Sequence, residues 1–520
     1  MTPATLLRSY SKSSLERMAR QRQLETKGRS KETLITVLAP TLFDANAIRR
    51  ALAALSPAER RLLDEVRLLG GDAATPLIQR RLEREGVVRP RPPRRGRFAT
   101  PRDSESSELP QFEAMVGQLA AGGLVFSSVP GTNGSMIDLT YPGPRLFIPK
   151  EVLEHIPAVP FPVAATATPA TIDLAQPTAL LRDVYTILSE AGRAPIPLTA
   201  RGLIAKRALT HLDAQLRVPE DAASVTAESE LVRLPLLRAI VEDLGLLAAH
   251  SASLVATDRV RTFLAQPPGD RRGQLLRAYR QTARWCELLY IQGLQVKPLG
   301  GWRGAPPEIV SARQRVLIEL AELPVNRWIL LDDVVGRLKR RAYELLFPRH
   351  WSSYSSYYGS PYRDSSSALH WSFDLSLDEE RAWEQVEGGL IRLIVGQALP
   401  WLGVVDLGHT ETGSVAVRVT DHGALLLHDQ NPPSAVSTPQ VVVQPNFQIF
   451  AFEPTDESVL FTLDQLADRI RAEQVVEYQL SRDSVYRAQR TGLDTAAIVA
   501  FLEQVGTVPL PQNVRRSLEE

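Results

Sequence analysis

Apolar positions along this chain follow two rhythms. A spacing of about 3.6 residues over 55–69, 77–84, 180–190, 314–323 and 330–345 predicts amphipathic helices, each with one buried face. These helical runs lead into stretches of one design, in which an apolar helix enters a glycine turn and passes into short β-type segments. The first goes from Phe112 through Leu119 and Gly123 to Leu124-Val125-Phe126, then a Gly/Asn turn at 131–134, then 137–141 and 146–148. The second goes from Leu234 through Leu244 and Gly245 to Leu254-Val255-Ala256, and the third from Leu390 through Leu402 and Gly403 to Val417-Arg418-Val419. The pattern predicts a helix-rich, multi-domain α+β chain in which helices followed by a hairpin occur three times.

Helices closed by a hairpin resemble the winged-helix fold. Ala256-Thr257-Asp258 and Val419-Thr420-Asp421-His422-Gly423 resemble the second wing strand of many such proteins, where a polar turn leads into another short helix. The resemblance implies a third helix placed to enter a DNA major groove and a hairpin placed against phosphate. Many winged helices instead mediate protein contacts, so both readings stand. The expected domains are 46–156, 178–266 and 267–430, the last with an inserted Ser/Tyr loop at 350–367. Segments 88–110, 157–177 and 431–439, rich in Pro with Arg, Ala, Thr or Ser, read as linkers or exposed loops.

Length and charge sharpen this picture. A chain of 520 residues exceeds one ordinary core, and its 44% hydrophobic and 23% charged content is that of a soluble globular protein. The net charge of +1 conceals an asymmetry: residues 1–97 hold 21 Lys and Arg against 10 Asp and Glu. Local positive potential of this kind is the electrostatic footprint of a polyanion-binding end.

Within that end, 15–38 reads as two short amphipathic helices around a turn, the second opened by Ser30 as N-cap. The spacing of Leu15, Leu24, Gly28, Lys31, Leu34 and Leu38 resembles the SAP motif, although Gln23 stands where that family usually has glycine. The resemblance implies a basic helical hairpin over 1–45 in which Arg20, Arg22, Lys27, Arg29 and Lys31 contact DNA phosphates without reading sequence. The alternative is a hairpin that only caps the next domain. Arg94, Arg95 and Arg97, interleaved with prolines, form a second candidate DNA-binding arm.

From Val441 the text changes. A strand at 441–452 and an amphipathic helix at 460–471 precede a helix from Ser484 that ends at Gly492, after which Asp494 caps the next. Gln444-Pro445-Asn446-Phe447, Leu480-Ser481 with Ser484, Gly492, Phe501-Leu502 and Leu510-Pro511-Gln512-Asn513-Val514 look like the accessory domain at the amino end of XPB-type DNA-repair helicases. The resemblance covers 439–520, a small α/β domain, and implies help with DNA engagement or partner docking rather than catalysis. With 7 Arg against 12 Asp and Glu, this stretch is acidic, which favours protein docking over phosphate binding.

No lysine in the chain follows a glycine, so the Gly-Lys-Ser/Thr phosphate loop of a helicase motor is not written here. The single cysteine, Cys286, sits in a stretch that reads as helical, and the eight histidines show no metal-ligand spacing. No catalytic residue, metal or cofactor is expected, nor a membrane span. The functional expectation is a non-catalytic DNA-binding protein, cytoplasmic or nucleoid-associated, that serves a separate helicase in repair or transcription. Two other readings fit the same residues: an adaptor that docks a helicase without touching DNA, and a winged-helix DNA glycosylase, for which Gln21-Arg22-Gln23 is the one short motif.

Overall fold

The computed structural model describes residues 2–89, 109–128, 137–139, 142–156, 166–298, 304–346, 369–372, 379–433, 440–472, 475–490 and 492–520. Two compact units result: residues 1–164 with 336–364, and residues 165–335 with 365–520. Both are helix-rich with small antiparallel sheets, an α+β architecture.

The first unit opens with helices α1 (Pro3–Arg8), α2 (Lys12–Gln21), α3 (Lys31–Leu38), α4 (Ala45–Ala53) and α5 (Pro57–Leu68). Strand β1 (Asp72–Ala74), α6 (Thr75–Arg84), α7 (Phe112–Ala121), β2 (Phe126–Ser128), β3 (Arg145–Phe147) and α8 (Lys150–Leu153) follow. The three strands lie in the order β1-β3-β2. Local chemistry sets the ends of the helices: Ser30 Oγ accepts the Thr33 N–H at 3.2 Å, and Ser56 and Glu59 form a reciprocal capping box on α5.

The amino-terminal hairpin shares its core with the rest of this unit. Leu7, Leu15, Met18, Leu34 and Leu38 are buried in one cluster with Ala120, Phe126, Ile137 and Leu139. Ser127 N–H donates to the Tyr10 hydroxyl at 2.9 Å, and Leu139 N–H to Ser14 Oγ at 3.1 Å. Gly117 marks a close backbone approach, because a Cβ there would sit 2.7 Å from the Leu139 carbonyl oxygen.

The second unit begins with β4 (Thr171–Asp173), α9 (Pro177–Arg193), β5 (Ile196–Pro197), α10 (Lys206–Asp213), α11 (Arg233–Asp243), β6 (Leu247–His250) and β7 (Ser253–Ala256). It continues through α12 (Arg259–Leu264), α13 (Pro268–Gln281), β8 (Gln295–Pro298), α14 (Pro307–Ala321), β9 (Ile329–Leu330) and α15 (Leu331–Arg341), the helix in which the division between units falls. Next come β10 (Leu369–Ser372), α16 (Glu379–Leu393), a π-helical stretch at Ile394–Ala398, α17 (Leu399–Trp401), β11 (Val405–His409), β12 (Val415–Val419) and α18 (Asp421–Leu427). The carboxy-terminal part is β13 (Gln440–Val443), β14 (Gln448–Phe452), α19 (Glu457–Leu466), β15 (Asp468–Ala472), β16 (Val475–Gln479), α20 (Arg482–Arg490), α21 (Thr495–Val505) and α22 (Gln512–Glu519).

One order of elements recurs three times among the described residues, helix, short strand, two helices, hairpin, with β10 placed between the two helices of the third copy. The sheets β1-β3-β2 and β5-β7-β6 have their first strand paired to the last, and β9 pairs with β12 in the same way in the four-stranded sheet β4-β11-β12-β9. The turns after the second and third hairpins are closed by threonine. Thr257 Oγ1 donates to the Gly245 carbonyl at 2.7 Å, and Thr420 Oγ1 accepts the Gly423 N–H at 2.8 Å to cap α18. Gly423 has no room for a side chain, since a Cβ would meet the Val404 carbonyl oxygen at 1.9 Å.

Several sequence expectations change. The expected linker over 157–177 contains β4, an edge strand with Ile172 53% exposed, so its composition gave no apolar alternation to detect. Helix α10 has no counterpart among the helices that apolar spacing predicts. The stretch around Cys286 is not an α-helix: Cys286 is extended and precedes a 3-10 turn at Glu287–Tyr290. Arg313 explains why. Its guanidinium, fully buried, binds Glu287 at 2.6 and 2.8 Å and donates to the carbonyls of Tyr279, Thr282 and Trp285, groups that a regular helix would use internally. Burial, and then the adjacent Glu287 charge, push the Cys286 thiol up to about 12. At pH 8 a disulfide reagent is therefore expected to label the native chain negligibly and the urea-unfolded chain with one equivalent; rapid native labelling would contradict this placement.

Candidate functional site

Two surfaces carry the residues singled out by sequence, one in each unit. In the first unit, α2 ends at Arg22 and the chain reverses through Gln23, whose φ of 58° is left-handed, and Gly28, at 75°. Gln23 thus holds a backbone conformation that glycine adopts more readily. Arg20 is exposed, with only a 3.8 Å pair to Glu16, and Lys27 is exposed on the turn. Arg29 lies 4.0 Å from Glu25, and Lys31 Nζ donates to the Arg8 carbonyl at 2.9 Å. Such surface pairs are weak and leave the cations able to exchange partners.

Arg22 differs in kind. Its guanidinium is turned inward, donating to the Thr41, Leu42 and Gly122 carbonyls, the last two at 2.8 and 3.4 Å. Burial lowers its affinity for a proton. Its place in the fold is to fasten the hairpin to the end of α7. Nothing near Arg22 in the sequence signals this, because the acceptors stand 19, 20 and 100 residues away. Arg94, Arg95 and Arg97, and the Ser/Tyr loop, lie outside the described residues.

The helices before each hairpin bring no such surface. In α7, Phe112, Met115, Val116, Gly117, Leu119, Ala120 and Ala121 are all buried. On α11, Arg233 pairs with buried Asp183 at 2.6 Å, and Arg238 is held between Glu228 and Glu242 at 2.7 and 2.8 Å. On α16, Arg392 is held between Asp332 and Glu384. The cleft of about 530 Å³ beside α11 is lined by Arg238 with its partners Glu228 and Glu242, and by Arg201, Trp285 and Tyr290.

In the second unit, the carboxy-terminal part is a four-stranded antiparallel sheet in the order β13-β14-β16-β15 with α19 to α22 around it. Four of its carboxylates, Glu453, Asp456, Glu457 and Asp464, face the rest of the second unit. Asp464 accepts from the Tyr185 and Ser189 hydroxyls and from Arg469, the last two at 2.6 Å. Arg271 binds Asp456 and Glu457 at 2.7 and 3.0 Å, Arg182 donates to the Thr455 carbonyl, and Arg217 pairs with Glu453. Burial, then the Asp464 charge, drive Tyr185 ionisation far up, so its hydroxyl remains a donor.

The motif segments 444–447, 480–484 and 510–514 converge at the opposite end of this sheet. Leu480 N–H donates to the Phe447 carbonyl at 2.9 Å, Gln479 Nε2 to the Asn446 carbonyl at 3.3 Å, and Asn513 Nδ2 to the Pro445 carbonyl at 2.7 Å. Ser481 and Ser484 cap α20 reciprocally at 3.0 and 3.1 Å, and Gly492, with φ 95°, ends it. Between α20, α22 and the β13–β14 turn runs a groove of about 730 Å³ that includes Phe447, Ser481, Arg482, Tyr486 and Leu518. Phe447 has a φ of 67°, a conformation that bulky side chains rarely adopt.

A family model described as helicase conserved C-terminal domain matches residues 441–520. This part of the chain is a helicase-associated C-terminal domain, and it points to a helicase-related role. The match spans all three converging motif segments and covers neither the first unit nor the rest of the second. No curated protein matches the chain. Among the described residues no helix is long and apolar enough to cross a membrane, and no cluster of His, Cys, Asp and Glu has the arrangement of a metal site.

Proposed function

We propose that this protein is a non-catalytic, DNA-binding helicase-associated protein of repair or transcription, holding duplex DNA through its basic amino-terminal hairpin without reading sequence. The observation that carries this reading is the pairing, in one chain, of a helicase-family module at 441–520 with a hairpin whose Arg20 and Lys27 are exposed beside Arg29 and Lys31. Exposed cations around a tight turn release counterions from phosphates, which supplies affinity with a steep salt dependence and no base preference.

The three helix-and-hairpin copies read as winged-helix units used mainly as scaffold. Before the second and third hairpins, Arg233, Arg238 and Arg392 are spent on neighbouring carboxylates, and α7 carries no arginine, which argues against major-groove reading by those helices. The hairpin reads as SAP-like, with Arg22 removed from the phosphate-contacting set and assigned to the fold.

The chain is proposed to work beside a separate helicase motor, because it lacks a Gly-Lys-Ser/Thr loop to hold ATP phosphates. Mobility-shift and ATP-hydrolysis assays on the same preparation test both halves. The expected result is a shift of duplex DNA at micromolar protein with no ATP turnover above background. DNA-stimulated turnover would overturn the non-catalytic assignment; no shift would move the protein to the adaptor reading.

A further inference from the structure

The acidic balance of the carboxy-terminal domain conceals a differently charged face. Glu453, Asp456, Glu457 and Asp464 are all engaged by arginines within the second unit, and Asp468 holds Arg487 at 2.6 Å. On α20 the buried side is Ser484 and Ala488. The opposite side carries Arg482, Tyr486 and Arg490, spaced one helical turn apart, with Tyr486 64% exposed. Neither Arg482 nor Arg490 forms an ion pair among the described residues.

Tyr486 and Phe447 both line the groove of about 730 Å³, together with Arg482, the hydroxyl-bearing Ser481 and Ser517, and, at its rim, the carboxylate of Glu520, which pairs with Arg516. That volume lies in the range of sites that enclose small organic ligands. Phe447 is held there in a left-handed backbone conformation that is unfavourable for such a residue, and the carbonyl bonds from Leu480 and Asn513 around it fix the turn. A glycine or asparagine would suit the turn better, so the aromatic ring is what the position retains in spite of the strain.

We infer that this groove binds single-stranded nucleic acid, with bases stacking on Tyr486 and Phe447 and phosphates meeting Arg482 in the groove and Arg490 farther along the same face of α20. Flat π-faces take any base, and cations about two helical turns apart on either side of a ring can follow a backbone, so the preference is for strandedness rather than sequence. A duplex buries its base faces and cannot use these rings. The inference rests on the proposed DNA-binding role but assigns a different ligand, the unpaired strand, to a different unit.

Photocrosslinking of the full chain to a 4-thiothymidine oligonucleotide, followed by peptide mapping, tests it together with affinity measurements on two variants. Crosslinks are expected in the peptides carrying Phe447 or Tyr486. Tyr486→Ala, an exposed position whose loss leaves the fold intact, is expected to lower single-strand affinity about tenfold while duplex affinity stays unchanged. Arg482→Ala with Arg490→Ala is expected to flatten the single-strand salt slope by about 0.7 for each phosphate no longer neutralised. Unchanged single-strand affinity in Tyr486→Ala, or crosslinks confined to other peptides, overturns the inference and leaves the groove to a partner protein. If duplex binding persists in that case, the DNA-binding reading survives; if neither DNA binds, both fall.

Discussion

Replacing Arg20, Lys27, Arg29 and Lys31 together with alanine is expected to weaken duplex binding by about one to two orders of magnitude near physiological salt. The slope of log affinity against log salt is expected to fall by about 0.9 for each phosphate that goes without its cation. Arg20 and Arg29 form weak surface pairs, Lys27 is exposed and Lys31 bonds the Arg8 carbonyl at the surface, so far-UV circular dichroism and the unfolding midpoint should hardly move. Arg22→Ala is the informative contrast. It removes a charged donor from three backbone carbonyls that hold the hairpin against the unit, at a cost of about 2–3 kcal/mol in urea unfolding. If Arg22→Ala instead left stability untouched and flattened the salt slope, the division of labour among these arginines would be wrong.

Asp464→Ala is expected to have the largest effect on stability. Asp464 is the shared acceptor for Tyr185, Ser189 and Arg469, and both it and Arg469 are buried. Removing the carboxylate leaves the Arg469 guanidinium in a desolvated setting without its counter-charge, and breaking a buried pair in this way costs about 3–5 kcal/mol. The loss should appear in denaturant unfolding and in faster proteolysis between the carboxy-terminal domain and the rest of its unit. Tyr185→Phe removes one hydroxyl and keeps the Asp464–Arg469 pair, so it should cost only about 1 kcal/mol. Equal effects from the two substitutions would mean that the ion pair contributes little to holding the domain in place.

Much of the local structure was legible because its causes are local. Ser30, Asp494 and Gly492 cap or end helices through bonds to residues three or four positions away, and the sequence displays both partners at once. The repeated helix-and-hairpin order was readable from apolar spacing for the same reason. Long-range pairing was not. The acidic count of the carboxy-terminal domain does not separate inward from outward carboxylates: Asp456 and Glu457 meet Arg271 some 185 residues earlier, within the chain, while Asp483, Glu503 and Glu519 are exposed. The same pairs bridge the boundary expected near 439, since Arg182 on α9 and Arg271 on α13 both reach that domain. Arg22 was grouped with its basic neighbours because one-dimensional charge does not tell an inward guanidinium from an outward one. The groove was legible only in pieces: 444–447, 480–484 and 510–514 were each visible, but their meeting depends on the bonds Asn513 to Pro445 and Leu480 to Phe447.

The central claim is that the basic amino end holds DNA through phosphates. Its most direct test is fluorescence anisotropy of a labelled duplex titrated with the full chain at about 50 and 200 mM salt. With about four phosphates neutralised, affinity should fall roughly a hundredfold between the two conditions and be the same for duplexes of unrelated sequence. Absence of binding at the lower salt, or binding that salt does not weaken, would contradict the claim.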